Sequence, residues 1–324
     1  MDIYTSLDQL NLKDRTSVAL GNFDGLHEGH RKIMEAAINA AKEQGLKSLC
    51  FTFSNHPFNF ILQRADDDPD AVKLICTEEE KIELVRGMGF DILVNIPFDE
   101  DIMTMRADRF FEDIIKGALN AGFVSVGFNY TYGARAEGKP ADLVKACGAA
   151  GIGVSIHEAV TIGGRVVSST LIREMISTGN MERTALYLGR PYSFTGTVSH
   201  GRHIGSKNGF PTVNIPAPDR QMLPPSGVYF SRIVIDGNEY KSISNIGVNP
   251  TVNQDADHPT LTSKPHKTIE TFIFDFDKDI YGDDITVYFD HFSRGERKFR
   301  SRDELFEQIS LDCEQARAYH FVQD

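Results

Sequence analysis

The segment Gly21 to His30, GNFDGLHEGH, holds the densest set of residues able to act on a phosphate ester. His27 and His30 stand close enough for both imidazoles to donate to phosphate oxygens from one turn of chain. Gly21 and Gly25, with Phe23 between them, permit tight turning and close backbone approach to a ligand. The helix expected just beyond adds unbonded N–H groups and the positive end of its dipole. Later in the chain Ser168, Ser169 and Thr170 open a second expected helix, with Arg173 one turn on. Hydroxyls and N–H groups followed by a guanidinium make an anion clamp. A third set lies in GFPTVN, Gly209 to Asn214. On a strand Thr212 and Asn214 project to one face, which sets a hydroxyl beside an amide oxygen, although Thr-x-Asn is also commonplace strand sequence.

Two kinds of element must position these groups. From Ser17 to about Thr184, apolar runs such as SVALGNF, LKSLCFTF, FDILVNI, FVSVGF and GVSIHEA alternate with amphipathic stretches such as HRKIMEAAINAAKEQ and EEEKIELVRGM. That alternation predicts a parallel sheet covered by helices. Thr77 and Glu80 form a capping box at the start of one helix. After Pro191 the pattern turns to strands separated by Gly, Pro and Asp, including FTGTVSHG, TVNIP, GVYFSRIVI, EYKSISNIG, TIETFIFDF and ITVYFDHF. Asp236 to Glu239, DGNE, marks a hairpin. A single helix follows from Ser301, with Glu304 as its capping partner, so the second half reads as a small antiparallel barrel closed by a C-terminal helix. The predicted domains are 1–188 and 189–324.

The whole chain of 324 residues has a formal net charge of −12, shared as −7 on residues 1–190 and −5 on the remainder. Neither half is a basic platform, which argues against nucleic acid and against an anionic membrane surface as partners. No run approaches the ~20 apolar residues of a membrane span, and MDIYTSLDQL has no signal-peptide pattern. Cys50, Cys76, Cys147 and Cys313 are scattered with no CxxC pair, as suits reduced thiols and a cytoplasmic location. The sequence carries no signal for oligomeric state.

In combination the motifs resemble a known family. GNFDGLHEGH resembles the signature of the HxGH nucleotidylyltransferases, specifically the adenylyltransferase module of prokaryotic bifunctional riboflavin kinase/FAD synthetases. FTFSNHP, VGFNYTYGARAEGK and VSSTLIREMI follow in the family's order. GFPTVN, PPSGVYF, SNIGVNPT and ETFIFDFDKDIYG resemble the flavokinase module. The resemblance implies a Rossmann-like α/β HxGH nucleotidylyltransferase domain followed by an antiparallel β-barrel riboflavin kinase domain with a C-terminal helix.

The resemblance also implies the chemistry. Riboflavin, ATP and Mg²⁺ would give FMN in the second domain, and FMN with a second ATP would give FAD and pyrophosphate in the first. His27 and His30 would stabilise charge on the phosphates. Gly21, Phe23, Gly25, Ser168, Thr170 and Arg173 would hold the nucleotide, and Asn55, His56, Pro57 and Asn129 the flavin. In the kinase, Gly209 and Thr212 would bind ATP, Thr212 and Asn214 the metal, and Glu270 would be the base. Arg294, Arg297, Lys298 and Arg300 form the one clear basic cluster, a solvated face or an aid in holding flavin phosphate. Ser206, Lys207 and Asn208 depart from the Arg-x-Leu of most relatives, and the loop after Pro250 is longer than usual. The rival readings are the same fold with one activity retained, the kinase being the one at risk, a non-catalytic flavin sensor, or adenylylation of another phosphate substrate.

Overall fold

Apolar runs in the first half become the strands of one sheet, buried on both faces at its centre. In chain order these are β1 (Asp2–Tyr4), β2 (Thr16–Leu20), β3 (Lys47–Phe53), β4 (Ile92–Ile96), β5 (Ala121–Gly127) and β6 (Gly153–His157). The computed structural model describes residues 1–64, 71–199, 210–218, 220–249 and 266–321. By contacts the chain separates into Met1–Ser169 and Thr170–Asp324.

In the first unit the strands order as β1-β4-β3-β2-β5-β6, and every neighbouring pair is parallel. Between them run α1 (Glu28–Gln44), α2 (Pro57–Arg64), α3 (Glu78–Gly87), α4 (Glu100–Thr104), α5 (Ala107–Arg109) continuing as a π-helical stretch over Phe110–Ala118, and α6 (Pro140–Ala150). A short hairpin, β7 (Thr161–Ile162) and β8 (Arg165–Val166), ends the unit. Alternate strand residues face opposite layers. Ala19, Cys50 and Leu93 pack with Met34 and Ala37 of α1 and Val85 of α3. Val18, Leu49, Val94 and Val124 pack with Phe111, Ile115 and Leu143 on the other side. β1 is absent from the sequence reading because it is a short edge strand with two of its three residues exposed.

The chain leaves β2 for β3 on one side and later returns to β5 on the other. Strand order therefore reverses beside β2. In open parallel sheets a ligand crevice forms at the carboxyl ends of the strands at that point.

The second unit opens with α7 (Ser169–Ser177), whose first residue closes the first unit, and α8 (Met181–Leu188). Six antiparallel strands follow: β9 (Tyr192–Thr197), β10 (Thr212–Pro216), β11 (Gly227–Ile235), β12 (Asn238–Asn249), β13 (His266–Ile273) and β14 (Asp284–Gly295). Their order is β10-β13-β12-β11-β14-β9. The Ser199–Asn214 bridge links the chain beyond β9 to edge strand β10, so the sheet curls into a half-barrel. Asp236 and Gly237 both have positive φ and join Ile235 to Asn238, as the DGNE hairpin requires. The C-terminal α9 (Arg302–Ala318) lays Cys313 and Ala316 on Val228, Phe230 and Ile243.

Both expected capping positions form. Thr77 and Glu80 exchange hydrogen bonds in full. Ser301 accepts from the Glu304 N–H, while the Glu304 carboxylate accepts from Arg300 N–H rather than from Ser301.

Candidate functional site

In the first unit the chain leaves β2 at Leu20 and reaches α1 through a strained loop. Phe23, Gly25 and Leu26 all have positive φ, at 47°, 81° and 38°. Two of these are side-chain-bearing residues in a region that ordinarily favours glycine. A Cβ at Gly21 would meet the Phe23 ring at 2.7 Å, and one at Gly25 would meet Ile75 Cγ2 at the same distance. The loop thus folds on itself and against residue 75, and only glycine fits at those two points.

His27 is the N-cap of α1, and its Nδ1 accepts the His30 N–H at 3.2 Å. The proton of the neutral ring therefore sits on Nε2, which makes that nitrogen a donor. His30 lies in the first turn and stacks on His27, with centroids 3.5 Å apart and planes 14° from parallel. Phe23 meets His30 edge-on at 5.4 Å. The strained loop therefore ends in two imidazoles of fixed orientation at a helix N-terminus.

Neighbouring segments hold this arrangement. Asp24 Oδ1 accepts from Ile75 N–H at 2.9 Å, and Gly25 N–H donates to Cys76 Sγ at 3.3 Å. Ser169 Oγ donates to Asp24 O at 3.1 Å, and Val167 O lies 3.6 Å from the position of a Cβ on Gly29. The Ser168–Ser169 segment therefore lies against the HxGH turn, as an anion clamp needs. Thr170 and Arg173 stand on the first turns of α7, in the second unit.

The flavin candidates fall beside the same loop. His56 and Asn55 line a narrow pocket with Asn22, Asp24, Cys76, Glu78 and Lys81. Asn55 uses its amide at both ends on Phe98: Nδ2 donates to the carbonyl at 3.0 Å and Oδ1 accepts the N–H at 2.6 Å. It shapes the pocket by fixing the chain after β4. Pro57 is the first residue of α2, where its missing N–H costs no hydrogen bond. Asn129 follows β5 across the crevice, with Oδ1 3.3 Å from the position of a Cβ on Gly127 and Ile33 of α1 equally close.

In the second unit, Asn214 of β10 lies directly opposite Glu270 of β13, which in turn pairs with Asn245 of β12. Thr212 pairs with Phe272 on the same face. Phe210 seats this end of β10, meeting Phe272 edge-on at 5.5 Å and stacking on Phe306 of α9. Thr212, Asn214, Glu270 and Asn245 therefore form one polar patch on the face that α9 covers. The opposite face carries a buried hydroxyl ladder, Ser242–Ser231–Ser244–Thr271, with steps of 2.7–2.8 Å. Asn245 is absent from the sequence-derived candidates. Its signal is the alternation in SNIGVN, which puts it on the Glu270 face only once the register is known.

Gly209, Ser206, Lys207, Asn208 and the loop after Pro250 lie outside the described residues. The basic cluster is partly committed elsewhere. Arg294 makes a fork on buried Asp312, with Nη2 to Oδ2 at 2.6 Å and Nε to both carboxylate oxygens at 3.1 Å, anchoring α9 to β14. Arg297 lies over the Phe299 ring at 4.6 Å. The four cysteines are buried free thiols, and burial pushes Cys147 and Cys313 up to about 11, well away from the reactive thiolate range. Among the described residues no group of three or more His, Cys, Asp or Glu side chains is placed to hold a metal, and no helix is long and apolar enough to cross a membrane.

Known proteins resemble both halves of the chain. The FAD synthetase family model matches residues 10–171 and the riboflavin kinase model residues 188–320. The bifunctional riboflavin kinase/FMN adenylyltransferase of Bacillus subtilis is 33% identical over 94% of this chain and 92% of its own. That of Escherichia coli K12 is 29% identical over 93% and 92%. A solved structure described as a macrolide-efflux protein from Streptococcus pneumoniae superposes with a TM-score of 0.85 at 28% identity, covering 98% of this chain and 99% of that one. With the FAD synthetase match on the parallel-sheet half, the riboflavin kinase match on the half-barrel half, and relatives aligned over nearly the whole chain, the chain belongs to the bifunctional riboflavin kinase/FMN adenylyltransferase family.

Proposed function

We propose that the chain performs both steps at the two sites described, 1–188 serving adenylyl transfer and 189–324 the kinase. In the kinase, Glu270 accepts the proton of the riboflavin 5′-hydroxyl as that oxygen attacks the γ-phosphorus of ATP, releasing ADP. Thr212 and Asn214 hold the phosphates and Mg²⁺, with Asn245 fixing the Glu270 carboxylate's side of the patch. The donor set of hydroxyl, amide and carboxylate oxygens fits Mg²⁺, an ion commonly bound by few protein ligands together with substrate phosphates. When bound, Mg²⁺ neutralises charge on the transferring phosphates.

In the adenylyltransferase, an FMN phosphate oxygen attacks the α-phosphorus of ATP, the bond to the bridging oxygen breaks, and pyrophosphate leaves. His27, through its Nε2–H, and His30 stabilise the charge that develops. Gly21, Phe23, Gly25 and Ser168 complete the nucleotide site, and His56, Pro57 and Asn129, in a pocket shaped by Asn55, receive the flavin. We place the enzyme in the cytoplasm, with small molecules as its partners. The observation that carries the reading is the stacked His27–His30 pair at the N-terminus of α1, beside the point where strand order reverses.

Purified protein supplied with riboflavin, Mg²⁺ and ATP should yield FMN and then FAD on chromatographic separation. FAD appearing only from supplied FMN would remove the kinase half of the proposal. FMN accumulating with no FAD would remove the other half.

A further inference from the structure

The fork between β2 and β3 is where the strained phosphate loop leaves the sheet. The last ladder bond there is Gly21 N–H to Phe51 O at 3.3 Å. Beyond it the chain turns away at Phe23, so the carbonyls of Asn22 and Phe53 fall outside the ladder and need other donors. Thr52 Oγ1 supplies one, to Asn22 O at 3.0 Å. The other comes from the first turn of α3: Lys81 Nζ donates to Phe53 O at 2.7 Å and reaches Asn22 O in a long contact at 3.5 Å. Lys81 is only 7% exposed, and among the described residues no carboxylate lies within ion-pair distance of it.

A buried ammonium is costly to desolvate unless its hydrogen bonds are made, and those of Lys81 go to these two backbone carbonyls. Here it sits where a strained backbone must be held, four residues before the N-cap of catalytic helix α1 when counted from Phe23. Conformations of this kind persist only where their surroundings over-determine them. We propose that Lys81 is a positioning residue for adenylyl transfer: by bonding the carbonyls at the β2–β3 fork it fixes the loop that aims His27 and His30. It does not touch the reacting atoms. This rests on the assignment of His27 and His30 to that step.

The experiment uses the full chain and compares Lys81→Met, Lys81→Arg and His30→Ala. For each, kcat and KM for ATP and FMN are measured in FAD formation, and riboflavin phosphorylation is measured in the same preparation. Small displacements of catalytic groups reduce turnover steeply. Lys81→Met should lower kcat for FAD formation by roughly tenfold or more, with KM for ATP within about threefold and FMN formation unchanged. Lys81→Arg keeps the charge but moves the donors, and should give an intermediate kcat. Wild-type kcat in Lys81→Met or Lys81→Arg overturns the proposal. So does a Lys81→Met loss carried mainly by KM for ATP, or an arginine variant no better than the methionine one, because either outcome indicates general loosening of the unit. If Lys81→Met does not fold, Lys81→Arg decides on the same kcat-against-KM criterion. Full FAD formation in His30→Ala would instead remove the underlying site assignment.

Discussion

At the scale of single residues, the site proposed for adenylyl transfer depends on fixed ring orientations more than on charge. His27 spends Nδ1 on the His30 N–H and so presents Nε2–H, while His30 is held between that ring and Phe23. Removing one preorganised donor to developing phosphate charge costs about 10²- to 10³-fold in turnover. His30→Ala should therefore reduce FAD formation by that factor and leave riboflavin phosphorylation at the wild-type rate, both read from the same chromatogram. His157 supplies a different test. Its Nε2 lies 2.9 Å from Ser125 Oγ, whose own proton goes to Ile33 O of α1 at 2.7 Å. Burial, and then the nearby Lys32 charge, hold the His157 imidazole below its ordinary value of 6.5. The unfolded chain therefore takes up this proton first as pH falls. The associated stability is complete above 6.5 and is lost as pH drops from 6.5 through the lower folded value. His157→Gln should flatten the decline in the first unit's melting temperature between about pH 7 and pH 5, and an unchanged decline would show that other groups govern it.

At the scale of elements, the sequence was legible wherever the signal is contiguous. The HxGH turn reads correctly because strand, glycines, histidines and helix follow one another within one segment, and the central strands β2 to β4 read correctly because burial on both faces makes them largely apolar. Features assembled from distant segments were not legible. Lys81 closes a fork made by residues 22 and 53, Asn245 joins Glu270 through strand register, and Arg294 belongs to a helix anchor rather than to a basic face. The last of these can be tested. Asp312 is 2% exposed and receives the Arg294 fork and Gln308 Nε2. Asp312→Ala leaves a guanidinium and an amide without their acceptor, which costs about 1–3 kcal/mol. Urea titration of the second unit should show the midpoint falling with little change in slope; an unchanged midpoint would mean that α9 is held by its apolar contacts alone.

For the whole molecule, the −12 charge means that anionic substrates are drawn by local donors, since no net positive field exists to gather them. The division of the chain is the other large-scale property, and it bears on α7 and α8. The riboflavin kinase match starts at residue 188, yet the compact second unit starts at Thr170. Within that unit, α8 pairs Glu182 with His291 Nδ1 of β14 at 2.5 Å, and a Cβ on Gly179 would meet the Phe292 ring at 3.2 Å. Met181, Thr184, Tyr187 and Leu188 are buried. A fragment cut at the sequence-derived boundary, 189–324, therefore strips a helix from β14 and β9, whereas 170–324 retains it. The longer fragment should melt higher by about 5 °C or more and keep riboflavin phosphorylation at a rate close to that of the full chain. Equal melting temperatures for the two fragments would show that α8 adds nothing to the half-barrel, and would place the folding boundary where the kinase match begins.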